Sequence, residues 1–304
     1  MKRAILVSIL TITGKLCFGQ GCSDAGFCSL GALKEVNQDS TSKHILDIGS
    51  NIGFGEQNTF TFNPYLQYNY EAGNHFSFQA KVTATFADGF LGRIFEVGDI
   101  YGLATYAVNK HSLNSFRVLA GVKIPLTSAN SKNAEGKPLP LDYQSSIGTY
   151  DIITGVNYIV RQKLELAAGL QLPVVQINKN SFFPEEYGDP RAKEFPPTNN
   201  FRRKPDLLLR AGYYVKLSPS VNIKPNLLAI YHTGDDTYQN RFGNRTSIDG
   251  SAGLTVNAGI IATKRFNTGN RLEFLAAATF IAREVRADGL TRTAAFTLQY
   301  SIPL

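Results

Sequence analysis

The chain has 304 residues, 43 % hydrophobic and 18 % charged, with a formal net charge of +7. Soluble domains usually carry about 25 % charged residues, and no stretch beyond the N-terminus supplies the roughly 18 apolar residues that a membrane-spanning helix needs. The charge is too modest to argue for a nucleic-acid partner.

Residues 1–19 read as a secretory leader. Lys2 and Arg3 form a positive start, Ala4 to Ile12 a short apolar core, and Cys17 and Gly19 are small residues where a signal peptidase reads. Removing it, with Lys15, lowers the charge from +7 to +4. It also reduces three cysteines to two, Cys22 and Cys28. An even pair in an exported chain reads as a disulfide. It would sit in a periplasmic N-terminal segment over 20–43, and that segment is long enough to fold into a barrel lumen as a plug.

From residue 44 onward, apolar and polar residues alternate with period two. In 74–87 the residues Phe76, Phe78, Ala80, Val82, Ala84 and Phe86 share one face, and Ser77, Gln79, Lys81, Thr83 and Thr85 the other. Twelve such segments are predicted, near 44–55, 58–70, 74–87, 98–109, 114–125, 147–160, 163–176, 206–217, 220–232, 250–265, 270–283 and 290–302. A tilted strand crosses the hydrocarbon layer with about 9–11 residues, so each is long enough. Short turns at 70–74, 109–113, 161–162, 218–219 and 266–269 alternate with longer stretches at 88–97, 126–146, 177–205, 233–249 and 284–289. The first outer loop, Glu56-Gln57, is the short exception.

This pattern predicts an all-β fold: a transmembrane antiparallel up-and-down barrel of about twelve strands over 44–304, in the outer membrane of a Gram-negative cell. Short turns and both termini would face the periplasm and long loops the outside. Charge segregation agrees, because Arg or Lys facing mid-bilayer lipid costs about 2–4 kcal/mol. In 114–125, Phe116, Val118, Ala120, Val122 and Ile124 would face lipid, whereas Arg117 and Lys123 point inward. The final parity of Phe296, Leu298, Tyr300, Ile302 and Leu304 also suits a closing strand. With no Trp in the chain, Tyr and Phe would have to form the interfacial girdle alone.

The inward charges Arg117, Lys123, Asp151, Glu165, Arg210, Lys216, Lys224, Arg271 and Glu273 are the candidate lumen lining. Paired, they would fill the interior; facing water, they would set selectivity. Loop 177–205 is rich in Pro, charge and aromatics. Its Phe182, Phe183, Tyr187 and Phe195 favour a packed lid or an inward fold over a free tail. His44, His75, His111 and His232 sit near strand ends without an evident metal-binding pattern. No Gly-x-Ser-x-Gly, Walker or dinucleotide motif occurs. The expectation is therefore no enzyme, no cofactor and no metal.

Over Gly148-Thr149-Tyr150-Asp151-Ile152-Ile153-Thr154-Gly155-Val156-Asn157-Tyr158, the chain resembles the outer-membrane channel family named for the meta-pathway of phenol degradation. That family has a Gly-Thr-x-x-Asp-hydrophobic-hydrophobic-x-Gly-x-x-Tyr stretch, one residue longer at its start. Gly121 to Leu126 and Gly169 to Pro173 are also similar to it, so the resemblance spans about 115–175. It implies a channel or transporter for small solutes, hydrophobic or aromatic ones included. The Cys22–Cys28 segment resembles the N-termini of Bacteroidota outer-membrane proteins. Expected partners are outer-membrane lipid, lipopolysaccharide and a small solute. The alternative is a non-conducting structural or adaptor barrel that binds another envelope protein through its outer loops.

Overall fold

The computed structural model describes residues 42–109, 112–289 and 294–304. The expected leader, the Cys22–Cys28 pair and His111 lie outside the described residues. Twelve strands form the wall: β1 (His44–Phe54), β2 (Phe60–Ala72), β3 (Phe76–Gly89), β4 (Gly92–Ala107), β5 (Ser115–Pro125), β6 (Thr149–Val160), β7 (Leu164–Gln176), β8 (Asp206–Tyr213), β9 (Val221–His232), β10 (Gly253–Arg265), β11 (Arg271–Ile281) and β12 (Ala294–Pro303). Each pairs antiparallel with its neighbours in sequence. β12 returns to β1 with Asp47 opposite Ser301 and Ile52 opposite Phe296. The sheet is closed and leaves no edge strand. This is a twelve-stranded outer-membrane β-barrel, and it crosses the bilayer with strands. Among the described residues no helix is long and apolar enough to do so.

The predicted faces hold. On β5, Phe116, Val118, Val122 and Ile124 are exposed on the outer wall, while Arg117, Leu119 and Lys123 are buried inside. The same alternation on β12 leaves Phe296, Leu298 and Tyr300 outside and Thr297, Gln299 and Ser301 inside. Six outward tyrosines, Tyr68, Tyr70, Tyr106, Tyr158, Tyr213 and Tyr300, cluster near the short-turn end. Their amphipathic rings suit the headgroup level, so tyrosine supplies the belt without Trp. Between Tyr213, Leu227, Ile260 and Phe296 the outer wall carries Ala258, Ala276, Ala278 and Ala294. These short side chains leave a lipid-facing groove of about 710 Å³.

Two expectations need correction. Residues 88–97 are not a long loop, because β3 and β4 join through a two-residue turn at Phe90-Leu91 with Gly89 opposite Gly92. The alternation hides this. A β-bulge shifts the register between Val82 and Ala84, so the outward residues change from Phe95 and Val97 to Ile100 and Tyr106, and the parity flips at Gly98. The strand predicted over 206–217 breaks at Tyr214 and resumes only at Val215–Lys216. Pro225, opposite this break on β9, has no N–H to give the ladder. The long loops carry local structure of their own. Loop 233–252 contains a small hairpin, Thr237–Gln239 with Arg245–Ser247, and loop 177–205 contains two 3-10 turns.

Candidate lumen and loop lid

The inner surface has two unlike walls. Along β4 to β9, Tyr101, Leu103, Leu119, Ile153, Ala167, Leu208, Leu228 and Ile230 make a continuous apolar band. Along β12 and β1 to β3 the inward residues are polar and bonded to one another. Gln67 and Asn69 each donate to Asp47 Oδ2 at 2.8 Å. The Tyr65 hydroxyl donates to Gln299 at 2.9 Å, and Lys81 Nζ lies 3.8 Å from the Tyr65 ring centre. Tyr65 can lie flat because the residue beneath it is Gly49, where a Cβ would collide with the ring.

Two ionic groups flank the apolar band. Toward the long-loop end, Lys123 Nζ stands 3.1 Å from Asp151 and 3.8 Å from Asp99, and donates to the Thr149 hydroxyl at 2.9 Å. Asp151 also accepts from Gln171 at 2.5 Å. The Thr and Asp of the Gly148-to-Tyr158 stretch thus act together on one buried cation. Its first glycine has a reason too: Gly148 has φ +74°, and a Cβ there would press on the Asn178 backbone. Toward the short-turn end, Glu165 binds Lys224 at 2.8 Å, faces Arg210 at 3.7 Å and accepts from Tyr214 at 2.6 Å. It is Tyr214 that interrupts β8.

Of the predicted lumen residues, Arg117, Lys123, Asp151, Glu165, Lys224 and Glu273 are inside and buried. Arg210 is half-buried beside Glu165. Arg271 is half-buried at the start of β11. Lys216 is a correction: it is exposed at the short-turn rim, at the end of the two-residue piece Val215–Lys216 that pairs with β9 beyond the break.

The long loops pack over the other end. Phe182 and Phe195, both fully buried, join Leu139, Tyr143 and Ala192 above Ala87 and Leu91, with Tyr187 packed alongside. Phe183 is half-buried, beneath the Arg241 guanidinium at 4.3 Å. A second cluster joins Ala129, Leu141, Ile147, Phe201, Ile248 and Ala287 from four loops. Asn180 ties the layers together. Its amide donates to the Ala129 and Leu139 carbonyls, and its carbonyl accepts from Phe182 N–H and the Thr198 hydroxyl. Burial pushes the Tyr187 hydroxyl up to about 12 and raises Tyr143 as well.

Beside these loop clusters lies a charge network that the sequence reading missed. Arg203 reaches Asp206 at 2.5 Å and Asp288 at 3.3 Å, and Arg283 reaches Asp288 at 2.5 Å. His232 bridges Asp206 at 2.5 Å and Asp236 at 2.8 Å. Burial alone would raise the Asp288 carboxyl, but Arg283 and Arg203 outweigh it and hold it below the usual carboxylate range. Burial raises the Asp236 carboxyl, against the lowering effect of its His232 hydrogen bond. Three of these pairs are local in sequence, Arg203–Asp206, His232–Asp236 and Arg283–Asp288. Arg203–Asp288 and His232–Asp206 join segments far apart in the chain.

No family model and no curated protein matches this chain. Solved structures match it in shape. The COG4313 outer membrane channel from Pseudomonas putida F1 aligns with a TM-score of 0.58 at 10 % identity, over 88 % of this chain and 99 % of that one. The NanC porin gives 0.47 at 7 %, over 84 % and 97 %. The Pseudomonas putida toluene transporter TodX gives 0.43 at 9 %, over 93 % and 95 %. The first of these shares the fold.

Proposed function

We propose that this barrel is a channel that passes a small apolar or aromatic solute across the outer membrane by passive diffusion. The observation that carries the reading is the apolar band on one lumen wall, set beneath a folded lid. A wall that only filled space needs no segregation into apolar and polar halves, whereas an amphipathic solute would use both. The fold shared with an outer membrane channel supports the same reading. Loop 177–205, with Phe182, Phe183, Tyr187 and Phe195, acts as the lid, and residues 20–43 act as a second plug from the periplasmic side. Liposome swelling with sugars, amino acids and aromatic acids tests it. Swelling should be slow for the intact protein and faster after deletion of residues 20–43 or shortening of the lid.

The second reading is a non-conducting barrel that offers its outer loops to another envelope protein. The mutual neutralisation of Lys123, Asp151, Glu165 and Lys224 favours it. No swelling from the intact protein or from either variant would select it.

A further inference from the structure

Arg117 is 6 % exposed on the inner face of β5 and has no hydrogen-bond or ion-pair partner among the described residues. Lys123, Arg210 and Lys224 each have a carboxylate within 4 Å. One pleat repeat away on the same face, the Ser115 hydroxyl is buried and also unpartnered. A guanidinium that faces no carboxylate keeps its donors open to a solute, which an aliphatic side chain at this position would not offer.

The strand register shows what surrounds this pair. One row across the wall runs Arg117, Asn157, Ala167, Arg210. The next row toward the lid runs Leu119, Gly155, Gly169, Leu208. Two adjacent glycines therefore present no side chain between two inward leucines, and the arginines stand at the end of that bare strip.

We propose that this strip receives an amphipathic organic acid. Its carboxylate accepts from the Arg117 guanidinium and the Ser115 hydroxyl, and its hydrocarbon or aromatic body lies over Gly155 and Gly169 between Leu119 and Leu208. Guanidinium matches carboxylate in a planar, two-bond geometry, and the apolar strip accounts for the remainder of the solute. Leu119 and Leu208 are buried, so binding requires that the strip be uncovered. The proposal names the solute class of the channel reading and rests on that reading for the route, but not for the binding.

The test is calorimetric titration of the full protein in lipid nanodiscs with 4-phenylbutyrate and its neutral match 4-phenylbutanol, repeated on a variant with a shortened lid. The acid should bind at least tenfold more tightly than the alcohol. Arg117→Gln should lower acid affinity tenfold or more, to the level of the alcohol, and leave the alcohol unchanged. Arg117→Lys should recover part of the loss, and Ser115→Ala should lose about threefold. Heat-modifiable gel mobility shows that each variant is folded. Equal affinity for acid and alcohol, an unaffected Arg117→Gln, or no acid binding by either the intact or the lid-shortened protein overturns the proposal. Acid binding without swelling leaves it standing and removes only the channel; swelling by neutral solutes without acid binding does the reverse.

Discussion

Lys123 shows how one lumen side chain is held. Its ammonium is buried, opposed by Asp151 and Asp99 and bonded to Thr149. Removing one partner of a buried pair strands the other charge, at a typical cost of about 3–5 kcal/mol. Lys123→Met should therefore lower the urea concentration at which the heat-modifiable band is lost. Adding Asp151→Asn should restore part of that loss, because the stranded charge is then gone; a double variant no better than the single would argue against the pairing. Asp288 gives a pH dependence. Its folded pKa is depressed by Arg283 and Arg203, so its stabilisation is present above the unfolded value of about 3.9 and is lost as pH falls below it. Pepsin nicking of the lid, normalised to an unfolded substrate, should rise as pH drops from about 4.5 to 2.5. Asp288→Asn should already nick quickly at the upper end of that range.

At the scale of elements, the strands were legible, and of the long loops only that 177–205 packs. Alternation in segments such as 74–87 and 147–160 reports a wall between two environments, and the faces assigned there are those of the structure. Where a bulge flips parity at Gly98, the same signal failed and ten residues of hairpin read as loop. The loop cluster was readable only as composition. Phe182 and Phe195 announced that something packs there, yet Arg203 finds Asp288 85 positions away, and no periodicity encodes such a meeting. Only Arg203–Asp206, His232–Asp236 and Arg283–Asp288 carried a local spacing. Two tests follow for the lid. Phe195→Ala removes a fully buried ring and should cost about 3–5 kcal/mol of lid stability, read as faster nicking within 177–205 while the barrel core stays heat-modifiable. Asn180→Leu would leave the Ala129 and Leu139 carbonyls without their donor and should open the same segment. Nicking at the wild-type rate in both variants would mean that the loop is held by other contacts.

For the whole molecule, the closed sheet, the outward apolar face and the tyrosine belt fix where the protein resides, and the two-walled lumen under its lid suggests what it does there. Barrel stability and lid stability should be separable, because the lid clusters lie beyond the strand ends and share few side chains with the apolar band. The most direct measurement is single-channel current in a planar bilayer, for the intact protein and for a variant in which residues 182–198 are replaced by a short Gly-Ser link. The account predicts small, infrequent openings for the intact protein and a larger, sustained conductance once the lid is gone. A folded, inserted variant that carries no more current than the intact chain, with residues 20–43 deleted as well, would contradict it.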